Sequence, residues 1–159
     1  MLHINIICVG KLKEKYLQDA ITEYSKRLSR YAVINIIELP DMKIPTYASI
    51  AEENNIKKQE GNSIISKLPK DSYIISLDLN GKQYTSEDFS VKIDNLSNFN
   101  SNITFIIGGS LGLSSDVINC SNELICFSKM TFPHQLIRVF LLEQIYRAFK
   151  ISRGETYHK

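Results

Sequence analysis

Apolar positions along the chain alternate between short β-rich runs and longer stretches of helical period. Leu2 to Val9, Val33 to Leu39, Tyr73 to Leu79, Asn102 to Ile107 and Leu124 to Phe127 are each short and rich in Ile, Val, Leu or Phe. That pattern predicts strands covered on both faces. Between the first two, Lys13 to Tyr31 carries Tyr16, Leu17, Ala20, Ile21, Tyr24 and Leu28 at helical spacing. Ser49 with Glu52 three residues on forms a capping box that opens a second helix, although Gly61 weakens its interior. Asn80-Gly81 predicts a turn ending the third strand, and Thr85/Ser86 with Glu87 and Asp88 cap a helix bearing Phe89, Ile93 and Leu96. A short helix is expected over Ser115 to Cys120, and a long one over Leu136 to Ile151.

Strands alternating with helices imply crossover connections, hence an α/β fold with a mainly parallel sheet and helices on both faces. No internal repeat, low-complexity run or Pro/Gly linker divides the sequence, so one domain over 1–159 is expected. In such sheets ligands sit beyond the carboxyl ends of the strands. Three predicted strand ends carry unusual residues: Leu77-Asp78-Leu79-Asn80-Gly81-Lys82, Gly108-Gly109-Ser110-Leu111-Gly112, and Ser128 to His134.

Wound at about 100° per residue, the last helix puts His134, Gln135 and Arg138 opposite Leu136, Ile137, Val139 and Phe140. Its second half puts Glu143, Gln144, Arg147 and Lys150 opposite Leu141, Leu142, Ile145, Ala148 and Phe149. The two polar faces are not aligned. A helix that buries different sides at its two ends has two partners, its own sheet and a second subunit, which predicts a homodimer.

Bulk properties narrow the class without deciding it. At 159 residues and 43% hydrophobic, the chain can bury a full core. No apolar run approaches the roughly 18 residues of a membrane span, and the N-terminus lacks a signal-peptide order, so a cytoplasmic protein is expected. Cys8, Cys120 and Cys126 have no metal-like or redox spacing and read as buried reduced thiols. Scattered histidines give no metal site, and the Gly-x-Ser-x-Gly elbow of a hydrolase is missing.

Charge adds one pointer. From Lys129 to the end, six Lys/Arg stand against two Glu, a net +4 beside the +2 of the whole chain. The positive excess collects where a loop enters a helix and where the chain ends, which points to an anionic or electron-rich partner.

Taken singly, each motif has an ordinary reading. The glycine run lacks dinucleotide and P-loop spacing and serves equally as a tight turn. His134 competes as acid or base with a helix-capping role, Glu143 and Arg147 with a solvated face, and Tyr157-His158 with a frayed end.

Together, and in this order, Leu-Asp-x-x-Gly-Lys, Phe-Ile-Ile-Gly-Gly-Ser-x-Gly, Ser-x-Met-Thr-Phe-Pro-His-Gln-Leu-x-Arg, Glu-Gln-Ile-Tyr-Arg-Ala and a terminal Tyr-His resemble the RlmH family. These are small SPOUT-class methyltransferases acting on 23S ribosomal RNA, and the resemblance spans essentially the whole chain. It implies a deep trefoil knot in the C-terminal third, S-adenosylmethionine bound there, and an obligate homodimer. The implied reaction is methylation at N3 of a pseudouridine in the helix 69 loop of 23S rRNA on the assembled ribosome. Carried over by motif, cofactor contacts fall at Leu77, Gly108, Gly109, Phe127, Ser128, Lys129, Met130, Thr131, Phe132 and Pro133. Catalytic candidates are Arg147, His158, Glu143 and Tyr157, and RNA-facing ones His134, Arg138 and Arg153. Thr156 and Leu111 depart from the family pattern, where proline and polar residues are common. Rival expectations are a non-catalytic RNA- or ribosome-binding module of the same fold, and a methyltransferase acting on another RNA base.

Overall fold

The computed structural model describes residues 1–157; the catalytic candidate His158 lies outside them. Strand β1 (Leu2–Val9) leads through helix α1 (Lys15–Leu28) to β2 (Ala32–Leu39). Helix α2 (Ile50–Ser66) then precedes β3 (Tyr73–Lys82), α3 (Ser86–Phe99) and β4 (Asn102–Ile107). The chain continues through α4 (Ser115–Cys120) and β5 (Glu123–Ile125) into α5 (His134–Ser152).

Among the described residues the strands form one sheet in the order β2-β1-β4-β3-β5, every pairing parallel. The near-continuous apolar runs follow from this, because each central strand has no solvent face. Alternate residues serve opposite layers. Ile4, Ile6 and Cys8 of β1 pack with Ile103, Phe105 and Ile107 of β4 under α1, α3 and α5, whereas Ile7, Val9 and Ile106 pack under α2 and α4.

Local signals act as the chemistry requires. Ser49 and Glu52 close a reciprocal capping box, and Thr85 and Ser114 cap their helices by accepting from Asp88 N–H and Val117 N–H. Gly61 sits inside α2 because a Cβ there would press on Ser114 Oγ and come within 3.1 Å of Ser114 Cβ. The penalty of a helical glycine is therefore offset by close packing of α2 on α4.

Three expectations need correction. Asn80-Gly81 does not end β3; the strand runs on to Lys82 with a register shift after Leu77. Gly81 permits this, since a Cβ there would lie 2.6 Å from Ile125 N and 2.7 Å from Ile125 Cα, and Lys82 O accepts from Cys126 N–H at 3.0 Å. The last strand is shorter than the apolar run and stops at Ile125. Cys8 and Cys126 are buried free thiols, but Cys120 is exposed.

Candidate active site

The three unusual strand ends meet. Beyond the carboxyl edge of β3, β4 and β5 they enclose a cavity of about 480 Å³, lined by Leu77 to Asn80, Ile107 to Leu113, and Ile125 to Ser128 with Met130, Thr131, Phe132 and Ile137. Its tightest wall is the glycine turn. A Cβ on Gly108 would come 2.9 Å from Leu113 Cδ2 and 3.1 Å from Gly112 O, and Gly112 itself has φ +84° and donates its N–H to Gly109 O at 3.0 Å. The opposite wall is held by its own polar groups: Met130 N–H donates to Ser128 Oγ at 3.0 Å, and Cys126 Sγ to Ser128 O at 2.9 Å.

Of the cofactor candidates, Leu77, Gly108, Gly109, Phe127, Ser128, Met130, Thr131 and Phe132 line this cavity, and Lys129 and Pro133 do not. Pro133 instead caps α5 with its carbonyl, which accepts from Leu136 and Ile137 N–H at 3.0 Å each. The cap is therefore Pro133, not His134, and no side chain bonds the helix start. His134 lines a smaller cavity of about 180 Å³ behind the same glycine turn, with Asp41, Lys43 and Glu60. Burial, then the Arg138 charge, lowers the imidazole pKa, which favours the neutral ring near pH 7. Glu60 is 7% exposed. It accepts from Met42 N–H at 3.2 Å, and burial raises its pKa.

Arg138 is the clearest correction. Expected to face RNA, it is 1% exposed, with both terminal nitrogens engaged within its own chain and its Nε without a hydrogen-bond partner among the described residues. Its Nη1 donates to Glu38 Oε2 at 2.9 Å, and its Nη2 to the carbonyls of Val9 at 3.1 Å and Gly10 at 2.8 Å. It fastens α5 to the ends of β1 and β2. Sequence spacing showed it as polar, but its carboxylate lies 100 residues away.

At the far end of α5, Arg147 Nη2 lies 2.6 Å from Glu143 Oε1, which also accepts from Tyr157 Oη at 3.1 Å. The Arg147 guanidinium stands 4.8 Å over the Tyr157 ring. Burial and the Glu143 charge push the Tyr157 phenol up to about 12, so it is a neutral hydrogen-bond donor at physiological pH. Glu143 and Arg147 are thus half-buried and interlocked, not a solvated face. Arg153 ends α5, exposed, with its guanidinium 4.7 Å over the Tyr31 ring. A groove of about 470 Å³ runs from Glu143 and Gln144 past Phe140 to Phe127 and Phe132, which it shares with the large cavity.

The family model described as "Predicted SPOUT methyltransferase" matches residues 2–158. The chain belongs to the SPOUT methyltransferase family. It is 59% identical to a protein named ribosomal RNA large subunit methyltransferase H of Clostridium acetobutylicum, over 99% of this chain and all of that one. The same coverage holds for proteins of Clostridium perfringens strain SM101, named ribosomal RNA large subunit methyltransferase H 1 and 59% identical, and Clostridium botulinum strain Eklund 17B, named ribosomal RNA large subunit methyltransferase H and 60% identical. The α/β architecture and the loop cluster at the strand ends accord with membership.

Among the described residues, no helix is long and apolar enough to cross a membrane, and no group of His, Cys, Asp or Glu is arranged to hold a metal ion. Sequence reasoning missed Glu38 and Glu60. Glu38 alone left a trace, as a carboxylate inside an otherwise apolar strand.

Proposed function

We propose that this chain is a ribosomal RNA methyltransferase of the large subunit, using S-adenosylmethionine to methylate N3 of a pseudouridine in the helix 69 loop of 23S rRNA. On this reading it acts in the cytoplasm on the assembled ribosome, as a homodimer whose C-terminal third is knotted. The names of its relatives support the RNA substrate. The narrower target comes from the family resemblance.

The cofactor fits the residues present. The cavity falls within the roughly 300–1,000 Å³ of small-molecule sites. Its walls are mainly apolar, and it has a glycine cradle that a Cβ at Gly108 would fill. Leu77, Gly108, Gly109 and the loop from Phe127 to Phe132 would hold the adenosine and the amino-acid tail. When bound, the sulfonium supplies an electrophilic methyl group, so the protein's task is alignment.

The observation that carries the dimeric reading is a separation. Ile137, which lines the cavity, and Arg147 toward the other end of α5 are 10 residues apart, or about 15 Å at 1.5 Å per residue. Neither Arg147 nor Tyr157 lines its own protomer's cofactor cavity; a second copy crossing α5 would bring its own pair there. The groove beside Phe132 and Phe140, both more than a third exposed, supplies an apolar face for it.

In such a site, the imide nitrogen of the base must lose its proton before it can accept a methyl group. Glu143 already accepts from Arg147, Tyr157 and Gln144, which makes it a clamp more than a base. Arg147, held in a fixed orientation by Glu143, stabilises the imide anion through its charge. Tyr157, neutral at working pH, gives its one hydroxyl proton to Glu143 and so helps to hold the clamp in place. The proton leaves to water.

The test is mass mapping of 23S rRNA from cells with and without the gene, followed by addition of purified protein and cofactor to the unmodified ribosomes. Appearance of one methyl group on the helix 69 pseudouridine is the expected result. A methyl group elsewhere, or none, would overturn the assignment.

A further inference from the structure

We propose that the last turn of α1 and the end of α5 form a phosphate-binding ridge that grips the RNA backbone beside the Tyr157 tail. The inference rests on the RNA methyltransferase reading above and names a surface it leaves unassigned, contributed chiefly by Lys26 and Arg30.

Six cations gather where α1 and α5 end: Lys26, Arg27, Arg30, Arg147, Lys150 and Arg153. Three have a carboxylate of their own. Arg27 pairs with Glu23 at 2.9 Å, Arg147 with Glu143 at 2.6 Å and Lys150 with Glu155 at 2.5 Å. Lys26, Arg30 and Arg153 are exposed, and among the described residues none has an ion-pair partner. The chain as a whole carries only +2, so three such charges in one place, of which only Arg30 acts on a carboxylate, the already paired Glu155, dominate the local field.

Two of these charges are also held in place. Arg30 and Arg153 both stand over one ring, Tyr31, at 6.0 and 4.7 Å from its centroid. That ring is 6% exposed and stacks on Phe149 at 5.2 Å with an interplanar angle of 4°. Tyr31 meets Tyr146 edge-on at 6.1 Å, and Tyr146 meets Tyr157 at 5.0 Å. A continuous aromatic sheet therefore links the two arginines to the tail that carries the proposed chemistry. A guanidinium resting on a ring keeps its N–H edge pointing outward, and that edge matches the spacing of phosphate oxygens. A merely solvated face would leave long side chains unsupported. Here the ordering entropy is already spent in the free protein, which favours binding.

The test uses the full-length dimer and large ribosomal subunits from cells lacking the enzyme. Wild type is compared with the double variant Lys26→Gln/Arg30→Gln, whose side chains are exposed, so the fold is retained. Binding is measured from 50 to 200 mM KCl, with KM and kcat for methyl transfer and cofactor affinity measured in parallel. Two lost phosphate contacts should make the plot of log affinity against log salt shallower by about 1.4–1.8. The affinity gap between wild type and variant then shrinks roughly ten-fold across that range. KM for the subunit should rise while kcat and cofactor affinity stay put. An unchanged salt slope and KM would overturn the ridge, as would a fall in kcat alone, which would make these residues supports of the Tyr157 tail. If wild type itself transfers no methyl group to the subunit, it is the parent reading that fails.

Discussion

Replacing Arg138 with Ala tests the correction that most changes the picture of α5. The side chain is 2% exposed and its partner Glu38 34% exposed. Three hydrogen bonds disappear, two of them to the main-chain carbonyls of Val9 and Gly10. Hydrogen bonds from a charged donor contribute about 1.5–3 kcal/mol each but do not add when they share one group. Breaking a buried pair by deleting one partner costs about 3–5 kcal/mol. Glu38 can partly rehydrate once released, which places the loss near the lower end, at about 3 kcal/mol. For a chain of this length that lowers Tm by on the order of 10 °C. Urea denaturation at fixed protomer concentration is the assay. Arg138→Lys should recover less than half of the loss, because one ammonium cannot span a carboxylate and two carbonyls. A loss below about 1 kcal/mol, accompanied by a large drop in RNA affinity, would refute the structural role and return Arg138 to the RNA interface.

Other outcomes follow from single contacts. Gly81→Ala should abolish stable folding, with soluble yield and thermal unfolding as readouts, because its Cβ would sit within 2.7 Å of the Ile125 main chain; wild-type stability would show that the two segments can separate. Arg147→Ala should slow methyl transfer by roughly 10²–10³-fold, as for loss of a charge-stabilising donor, while calorimetry finds cofactor affinity unchanged. Glu60→Gln should be more stable than wild type at pH 7, with the advantage shrinking toward pH 4. Burial raises the Glu60 pKa in the folded state, so the folded form holds the proton more tightly. Ionisation then erodes stability as pH rises above the unfolded carboxylate value. A pH-independent difference in urea midpoints would contradict that sign.

How much of this was legible in the sequence depended on range. Alternating apolar runs foretold the parallel sheet, and the short helix over Ser115 to Cys120 was readable locally, although the Ser114 cap that opens it emerged only with the structure. The glycine turn and the two other strand-end loops were recognisable as one cluster because parallel sheets gather their ligands at that edge, and the three do line one cavity. What failed was long-range. The helical wheel put Arg138 on a polar face, and only the fold brings Glu38 and the β1 carbonyls to meet it. Asn80-Gly81 looked like a turn because nothing local reveals that Ile125 crosses against it. His134 looked like a cap because its neighbour Pro133 has no polar side chain, yet a main-chain carbonyl suffices. Tyr157 was identified by resemblance; its lock on Glu143 and its place in a row of tyrosines reaching Tyr31 required the packing of α1 on α5.

The central claim is that one protomer's cavity and its partner's Arg147 make a single site. Mixing two inactive proteins, each folded and dimeric, tests it directly: Arg147→Ala, and Leu77→Trp, which projects an indole into the cofactor cavity. If the site is shared, random exchange gives half mixed dimers with one intact site each, restoring about a quarter of wild-type methyl transfer. If mixing restores nothing beyond the sum of the two parents, each site lies within one chain and the account is wrong.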